Sequence, residues 1–431
     1  MRKTVQDGNT VIISGPASAT VLEGTIEVFG GNLIVEEKIV IRRGKSLPFE
    51  AKETSILDIV LGTDANVYEV EGSTIPDSWR RVTKEVLSRP KPCTVMVLGN
   101  IDSGKTSFCT YLINTSLKSQ GKPAIVDTDL GQSDIGPPTS IGFSIISEPV
   151  ADLFSAKPAS IIIMGRTSSK GITQRVVSSL TSIMKQISER AVDLTVINTD
   201  GWIEGDEART YKTELIRKIS PNLVIGIQRN AELEHILHSV EEKGCYVLRT
   251  VTSSAIKRRN REEHRELREQ SYKKYLGKPT LRNLNLNWIS LEYTPLGLGI
   301  PVDLQRVKSI EKALQRQIVY CEESSRALYI VVYYKERVDE ATVVTAESLF
   351  QKDVYIVREG EEEGLLVGLL NNDRDFLGLG IISKLDYKNQ TLKIRTDYKD
   401  TVSVVQFGQI KVNEAGNELG VTTVFSTKNH A

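Results

Sequence analysis

The stretch Gly99-Asn100-Ile101-Asp102-Ser103-Gly104-Lys105-Thr106 decides how this chain is read. It completes the pattern G-x-x-x-x-G-K-[ST], with the apolar run Thr94–Leu98 before it and a helix-forming stretch, Lys105–Ser119, after it. Glycines at 99 and 104 allow backbone angles closed to other residues, so successive N–H groups can curl around phosphate oxygens. A helix that starts near Lys105 turns its positive end toward those oxygens. Lys105 adds a mobile charge for the β- and γ-phosphates, and the Thr106 hydroxyl can ligate Mg²⁺. The phosphate-binding set is therefore Gly99, Asn100, Ile101, Asp102, Ser103, Gly104, Lys105, Thr106 and Ser107. By itself the motif specifies a nucleoside triphosphate. It leaves open whether the phosphate goes to water, a small molecule or a polymer.

Asp127 and Asp129 narrow the chemistry. They stand where the run Ala124-Ile125-Val126 ends, at the carboxyl edge of the expected next strand, where ligands gather in open α/β sheets. One carboxylate there can hold Mg²⁺ through its water shell, and the other can accept a proton from an attacking hydroxyl. The metal set is thus Thr106, Asp127 and Asp129. The competing reading is that one of the two aspartates caps the turn around Gly131.

Outward from this centre the pattern predicts an α/β chain with a P-loop domain and a mostly parallel sheet, flanked by two β-rich domains. Strand-like runs alternate with helical ones from Cys93 to near Leu276, which implies βαβ units. Residues 1–73 carry short β-branched runs between glycine turns, including Val11–Ser14, Gly24–Phe29 and Ile56–Val60. Residues 74–92, with prolines at 76, 90 and 92, read as a linker with one short helix. The P-loop domain is expected over 93–280, with an arginine-rich segment at 256–275. The remainder, 281–431, returns to β character, as in Ala327–Tyr333 and Leu365–Leu370.

Composition excludes more than it selects. The 55 lysines and arginines balance the 55 aspartates and glutamates, so net charge offers no sign of a polyanion partner, though a local basic patch needs no net charge. Cys93, Cys109, Cys245 and Cys321 form no C-x-x-C pair, which fits reduced thiols in a cytoplasmic protein. The apolar runs are strand-length, so no membrane span is expected. His235 and His238 lack a third ligand for zinc.

Several elements, in order, give the chain its resemblance to the polynucleotide 5′-hydroxyl kinases related to the kinase subunit of the eukaryotic pre-mRNA cleavage factor and to the ribosomal-RNA-processing kinases. Archaeal single-chain enzymes belong to the same family. Pro76-Asp77-Ser78-Trp79 resembles the family's junction between its N-terminal β-domain and kinase core. Asp127-Thr128-Asp129-Leu130-Gly131-Gln132 is similar to its modified Walker B motif, and Asn198-Thr199-Asp200-Gly201-Trp202 to its N-T-x-G-W element. The arginine-rich helix Arg258–Arg268 resembles its lid. The resemblance implies transfer of phosphate from ATP or GTP to the 5′-OH of RNA, sometimes DNA, alongside RNA-processing protein partners. It further implies that Lys105, Asp129 and the lid arginines Arg259, Arg265 and Arg268 are catalytic. Gln132, Arg166, Thr167 and Trp202 then fall on the substrate side. One departure stands out: where relatives repeat an arginine, this chain has His264, with Arg265 next to it. Either Arg265 takes that role by a small shift, or the second lid contact is weaker.

Blander readings compete at two of these places. The lid could be a solvated helix laced with ion pairs, since Glu262, Glu263, Glu266 and Glu269 are interleaved with its arginines. As a lid, it would swing an arginine onto the moving phosphoryl group at closure. Trp202 could pack at the sheet rim or stack on a terminal base. Two other function classes remain: a non-catalytic ATP-binding scaffold in an RNA-processing complex, and a small-molecule kinase or partner-regulating ATPase.

Overall fold

In the computed structural model, which describes residues 1–425, the strand before the phosphate-binding motif runs from Cys93 to Gly99 (β1). Its alternating side chains sort the core of the central domain. Val95 and Val97 face one cluster with Phe108, Leu112 and Trp79; Met96 and Leu98 face another with Val176, Leu180, Tyr211 and Leu237. Both faces of the strand are therefore covered by helices, which explains its unbroken apolar sequence.

The rest of the sheet follows in chain order: β2 (Pro123–Asp127), β3 (Ser140–Ile145), β4 (Ser160–Ile163), β5 (Leu194–Asn198), β6 (Leu223–Gln228) and β7 (Val247–Val251). The spatial order is β4-β3-β2-β5-β1-β6-β7, with β2, β5, β1, β6 and β7 parallel. The expected mostly parallel sheet is present. β3 pairs antiparallel with both β2 and β4, and no sequence signal announced it. Its serines and Gly142 weaken the strand pattern, yet Gly142 is needed because a side chain there would lie 3.2 Å from the Ile135 carbonyl.

Met1–Arg268 form one compact unit and the chain from Glu269 a second. In the first, residues 1–70 make two antiparallel sheets of four and five strands around a shared apolar core containing Val11, Ile13, Val21, Phe49 and Leu57. The expected linker is a packed helix, Asp77–Leu87 (α1), whose spacing lets Ile75, Trp79, Val82 and Val86 enter the central core. Trp79 also donates its indole N–H to the Val251 carbonyl at 2.7 Å. The β-domain lies tightly against the helix Lys105–Lys118 (α2) that leaves the P-loop. Asn114 on α2 donates to the Phe29 carbonyl at 3.0 Å, and Gly30 and Gly31 let the backbone approach Tyr111 and Asn114. Three further helices cover the sheet: Thr173–Ser188 (α3), Gly205–Ile219 (α4) and Glu234–Glu241 (α5). The charged helix Arg261–Leu276 (α6) follows β7.

The second unit holds a seven-stranded sheet, largely antiparallel, that includes the predicted Leu365–Leu370 and an extended Phe376–Asp386. A further four-stranded sheet carries the parallel pair Ala327–Val332 and Asp353–Arg358. The helix Glu340–Phe350 connects that pair, and Leu304–Leu314 is helical too. The two helices lie within a segment that is otherwise β-rich, and no sequence pattern announced them. Asp303 and Asp339 cap the two helices by accepting from Arg306 N and Thr342 N, a local signal outweighed by the β-branched residues inside Glu340–Phe350. Among the described residues, no helix is long and apolar enough to cross a membrane.

Within this unit Glu362 is only 1% exposed, and its Oε2 has no hydrogen-bond partner among the described residues. Burial pushes its carboxyl up to about 6, against the pull of hydrogen bonds from backbone N–H groups such as that of Leu385. The native state therefore holds this proton more tightly than the unfolded chain does, and stability falls as pH rises through about 6. Glu362→Gln should unfold at a higher temperature than wild type at pH 8, by a free energy of up to about 2 kcal/mol. At pH 4.5 the two proteins should melt together. Equal shifts at both pH values, measured by thermal unfolding, would refute the assignment.

Candidate active site

The P-loop is shaped by close approach of its own atoms. A side chain at Gly99 would meet Ser103 Oγ at 2.3 Å, and one at Gly104, whose φ is 94°, would strike Ile256 Cδ1 at 2.0 Å. Asp102 also takes a left-handed φ of 52°. Ser103 Oγ is buried and has no hydrogen-bond partner among the described residues, so a polar group remains to be satisfied inside the cradle. Lys105 Nζ donates to the Gly99 and Asn100 carbonyls at 3.0 and 2.8 Å. Burial lowers its pKa, opposed by the charges of Asp129 and Asp200 and aided by Lys212.

The strand register aligns the second half of the site. β2 and β5 are paired so that Asp127 lies opposite Asn198. Asn198 Nδ2 donates to Asp127 Oδ1 at 3.1 Å and reaches Thr106 Oγ1 at 3.4 Å, which ties the P-loop threonine to the sheet edge. Asp127 also accepts from Asp129 N at 3.1 Å and from Asp134 N at 2.7 Å. It is wholly buried, and burial with the charges of Asp129 and Asp134 pushes it up to about 7.

Asp129 is placed differently. It is half-buried, and its Oδ1 accepts from Gly131 N and Gln132 N at 3.1 and 3.0 Å. Thus Asp129, not Asp127, caps the turn around Gly131. No hydrogen bond among the described residues engages its Oδ2. Burial raises its pKa, Lys105 pulls it down and Asp200 pushes it up again.

The N-T-D-G-W element supplies a buried ion pair that sequence reasoning left without a role. Asp200 Oδ1 accepts from Lys212 Nζ at 2.9 Å and from Trp202 N at 3.0 Å, while Oδ2 accepts from Ser169 Oγ and Tyr211 OH. Lys212 is fully buried, on α4, where no local pattern distinguishes it from a surface lysine. Burial opposes ionisation of Asp200, but Lys212 outweighs it and lowers the pKa. Trp202 stacks on Tyr211 with ring centres 5.7 Å apart, which gives it a packing role whatever else it contacts. Through Ser169 the same aspartate anchors the loop bearing Arg166 and Thr167, and the Thr167 carbonyl lies 3.1 Å from where a side chain on Gly131 would begin. The loop that carries Arg166 and Thr167 thus lies against the turn of Gly131 and Gln132 that Asp129 caps.

The arginine-rich segment expected as a lid lies directly against the P-loop. Arg259 donates from Nη1 and from its backbone N to Asp102, at 3.0 and 2.8 Å, and from Nε to the Gly44 carbonyl at 2.8 Å. His264 Nε2 lies 3.2 Å from Asp102 Oδ2, and the His264 carbonyl accepts from Gln132 Nε2. At the position where an arginine was expected, His264, and not Arg265, is the residue in contact with Asp102 of the loop. Arg265 is exposed and 3.7 Å from Glu262, and Arg268 is half-buried at the end of the first unit. The β-domain adds the segment Arg42-Arg43-Gly44-Lys45, which no motif flagged: Arg42 and Lys45 pair with Asp134 at 3.0 and 2.8 Å.

Gly201 shows how closely these parts are fitted. A side chain there would meet Ile101 N at 2.7 Å and Cα at 2.9 Å, and backbone cannot step aside as a side-chain tip can. Gly201→Ala should displace the P-loop and weaken ATP binding at least about tenfold, while far-UV circular dichroism stays unchanged. Unaltered ATP affinity by calorimetry would show that the loop tolerates the shift.

Comparison with known proteins agrees with this geometry. The family model described as mRNA cleavage and polyadenylation factor CLP1 P-loop matches residues 99–278. A polyribonucleotide 5′-hydroxyl-kinase of Methanocaldococcus jannaschii is 28% identical over 352 residues, spanning 80% of this chain and 94% of the relative. One from Pyrococcus furiosus is 26% identical over 351 residues, spanning 80% and 95%. Among solved structures, wild-type Clp1p in its complex with Pcf11p superposes with a TM-score of 0.67 at 12% identity, over 95% of this chain and 97% of that one, a likeness of fold. The P-loop with the helix that leaves it, the paired aspartates and the arginine-rich segment all fall inside the stretch that this family model matches, residues 99–278.

Proposed function

We propose that this chain is an ATP-dependent polynucleotide 5′-hydroxyl kinase that phosphorylates RNA ends, with GTP as an alternative donor and DNA as a second acceptor. The observation that carries the reading is Asp129: a carboxylate at the sheet's carboxyl edge, beside Lys105, with Oδ1 fixed by two backbone N–H groups and Oδ2 uncommitted among the described residues. The similarity to archaeal polyribonucleotide 5′-hydroxyl-kinases supports the same chemistry.

The residues fit a polyphosphate and its metal. The P-loop offers backbone N–H groups, the unsatisfied Ser103 hydroxyl and Lys105. The described residues contain no cluster of three or more acidic, histidine or cysteine side chains arranged for a metal. Magnesium needs none, because it keeps several waters and takes one or two protein ligands plus phosphate oxygens. Thr106 and the Asp127–Asn198 pair would hold it, and bound there it would neutralise charge on the transferring phosphate. Asp129 Oδ2 would accept the proton of the 5′-hydroxyl as that oxygen attacks. Oδ2 of Asp129 is open for this role, whereas both oxygens of Asp127 already accept hydrogen bonds. Arg166, Thr167 and Gln132 flank the approach of the acceptor end. RNA-processing protein partners belong to the same proposal, and the structural neighbour Clp1p was itself solved in a complex with Pcf11p.

Single-turnover transfer from γ-labelled ATP to 5′-hydroxyl RNA and DNA oligonucleotides tests the whole reading. Wild type should label RNA ends, and Lys105→Ala should abolish labelling without loss of fold. Asp129→Asn should bind both substrates yet transfer at least ~100-fold more slowly, the lower range for losing a general base. Asp127→Asn should lose less, and added Mg²⁺ should restore part of its activity. Wild-type transfer by Asp129→Asn, with Asp127→Asn inactive at every Mg²⁺ level, would exchange the two roles.

A further inference from the structure

We propose that Asp102, a carboxylate inside the phosphate-binding loop, is the positioning residue that seats the lid arginine Arg259, and that the arginine in return shields this carboxylate from bound polyphosphate. The inference rests on the kinase reading for its catalytic half only.

A carboxylate at this place needs explaining. The loop exists to gather positive potential around an anion, and an extra negative charge within it opposes that purpose. Three donors converge on Asp102: Arg259 Nη1 on Oδ1, and Arg259 N with His264 Nε2 on Oδ2, at 3.0, 2.8 and 3.2 Å. The side chain is 9% exposed, so these contacts are poorly screened. Burial would raise its pKa, but the His264 and Arg259 hydrogen bonds and charges outweigh burial and bring it down to about 2. The carboxylate is therefore ionised throughout the working range, and its charge is matched by the lid.

The same contacts hold the guanidinium in place. Nε is held by the Gly44 carbonyl and Nη1 by Asp102, from two different parts of the unit. Leu267 packs over Gly44, where an added side chain would come within 3.2 Å of it. With two of its three nitrogens engaged, the guanidinium plane is set. Nη2 makes no hydrogen bond among the described residues and is the edge left for a phosphate oxygen. This arrangement spends no freedom at the moment of reaction, which is how a preorganised charge acts best. A lid that swung in from solvent would have to find the same geometry in every cycle.

The test is a double-mutant cycle read by nucleotide affinity as well as by rate. Fluorescent ATP-analogue titration and single-turnover transfer are measured on the full chain for wild type, Asp102→Asn, Arg259→Ala and the double variant. Asp102→Asn should bind nucleotide at least as tightly as wild type and transfer about tenfold or more slowly. Arg259→Ala should lose at least about tenfold in affinity, because Asp102 then faces the phosphates unpaired. The double variant should recover most of that affinity. Arg259→Lys, which keeps the charge without the fork, should retain affinity but not rate, and it covers the case of an unstable Arg259→Ala. Additive affinity losses in the cycle would overturn the shielding, and wild-type transfer by Asp102→Asn would overturn the positioning. Absence of transfer in wild type itself would defeat the kinase reading, while the affinity cycle would still report on the pair.

Discussion

The register between β5 and its neighbours is the constraint on which the site depends. Pairing β1 and β2 in parallel on either side of β5 places Val97, Asn198 and Asp127 in one row at the carboxyl edge. From that row Asn198 reaches both Asp127 and Thr106, so the phosphate-binding loop and the acidic turn are fixed relative to each other by hydrogen bonds rather than by loop shape. A slip of one residue in a parallel pair would turn these side chains to the other face and separate the two halves.

Charge burial is the second theme. Lys105, Asp127, Asp200 and Lys212 are each at most 7% exposed, and isolated buried charges are costly. The costs are met in pairs: Lys212 with Asp200, and Lys105 opposite Asp129. Asp127, with three donors and no cation, is the exception, and burial displaces its pKa toward neutrality. Farther out, Asp102 and Asp134 are held by groups from other segments, Asp102 by Arg259 and His264 and Asp134 by Arg42 and Lys45. Asp134 is thus paired from outside the P-loop domain, and Asp102 from its arginine-rich segment.

This gives the N-terminal β-domain a part in the site. Its segment Arg42–Lys45 braces two places at once. Arg42 and Lys45 hold Asp134, whose backbone N–H supports Asp127, and the Gly44 carbonyl holds Arg259. Arg42 is held in turn by Asp152 and lies over the Phe154 ring at 3.6 Å. Exposed ion pairs contribute little to stability, but these are largely enclosed and arranged as a network.

What the amino-acid sequence determined by itself was local. Gly99 to Thr106, the alternation of apolar runs with helical segments, and the carboxylates at 127 and 129 sit within a few residues of the features that explain them, so the α/β fold and the phosphate cradle could be read directly. The strand Ser140–Ile145 and the helix Glu340–Phe350 could not, because small or β-branched residues there obscure the periodicity that tertiary packing overrides. The different surroundings of Asp127 and Asp129 were also decided above the level of sequence. Two residues apart in the same motif, they differ in the donors that Asn198, Asp134 and the Gly131 turn bring to them. The partners of Asp200, Asp102 and Asp134 lie farther away still, at Lys212, Arg259 and Arg42. Such pairings leave no periodic trace, because a buried charge is satisfied by whichever donor the fold carries to it, at any distance along the chain.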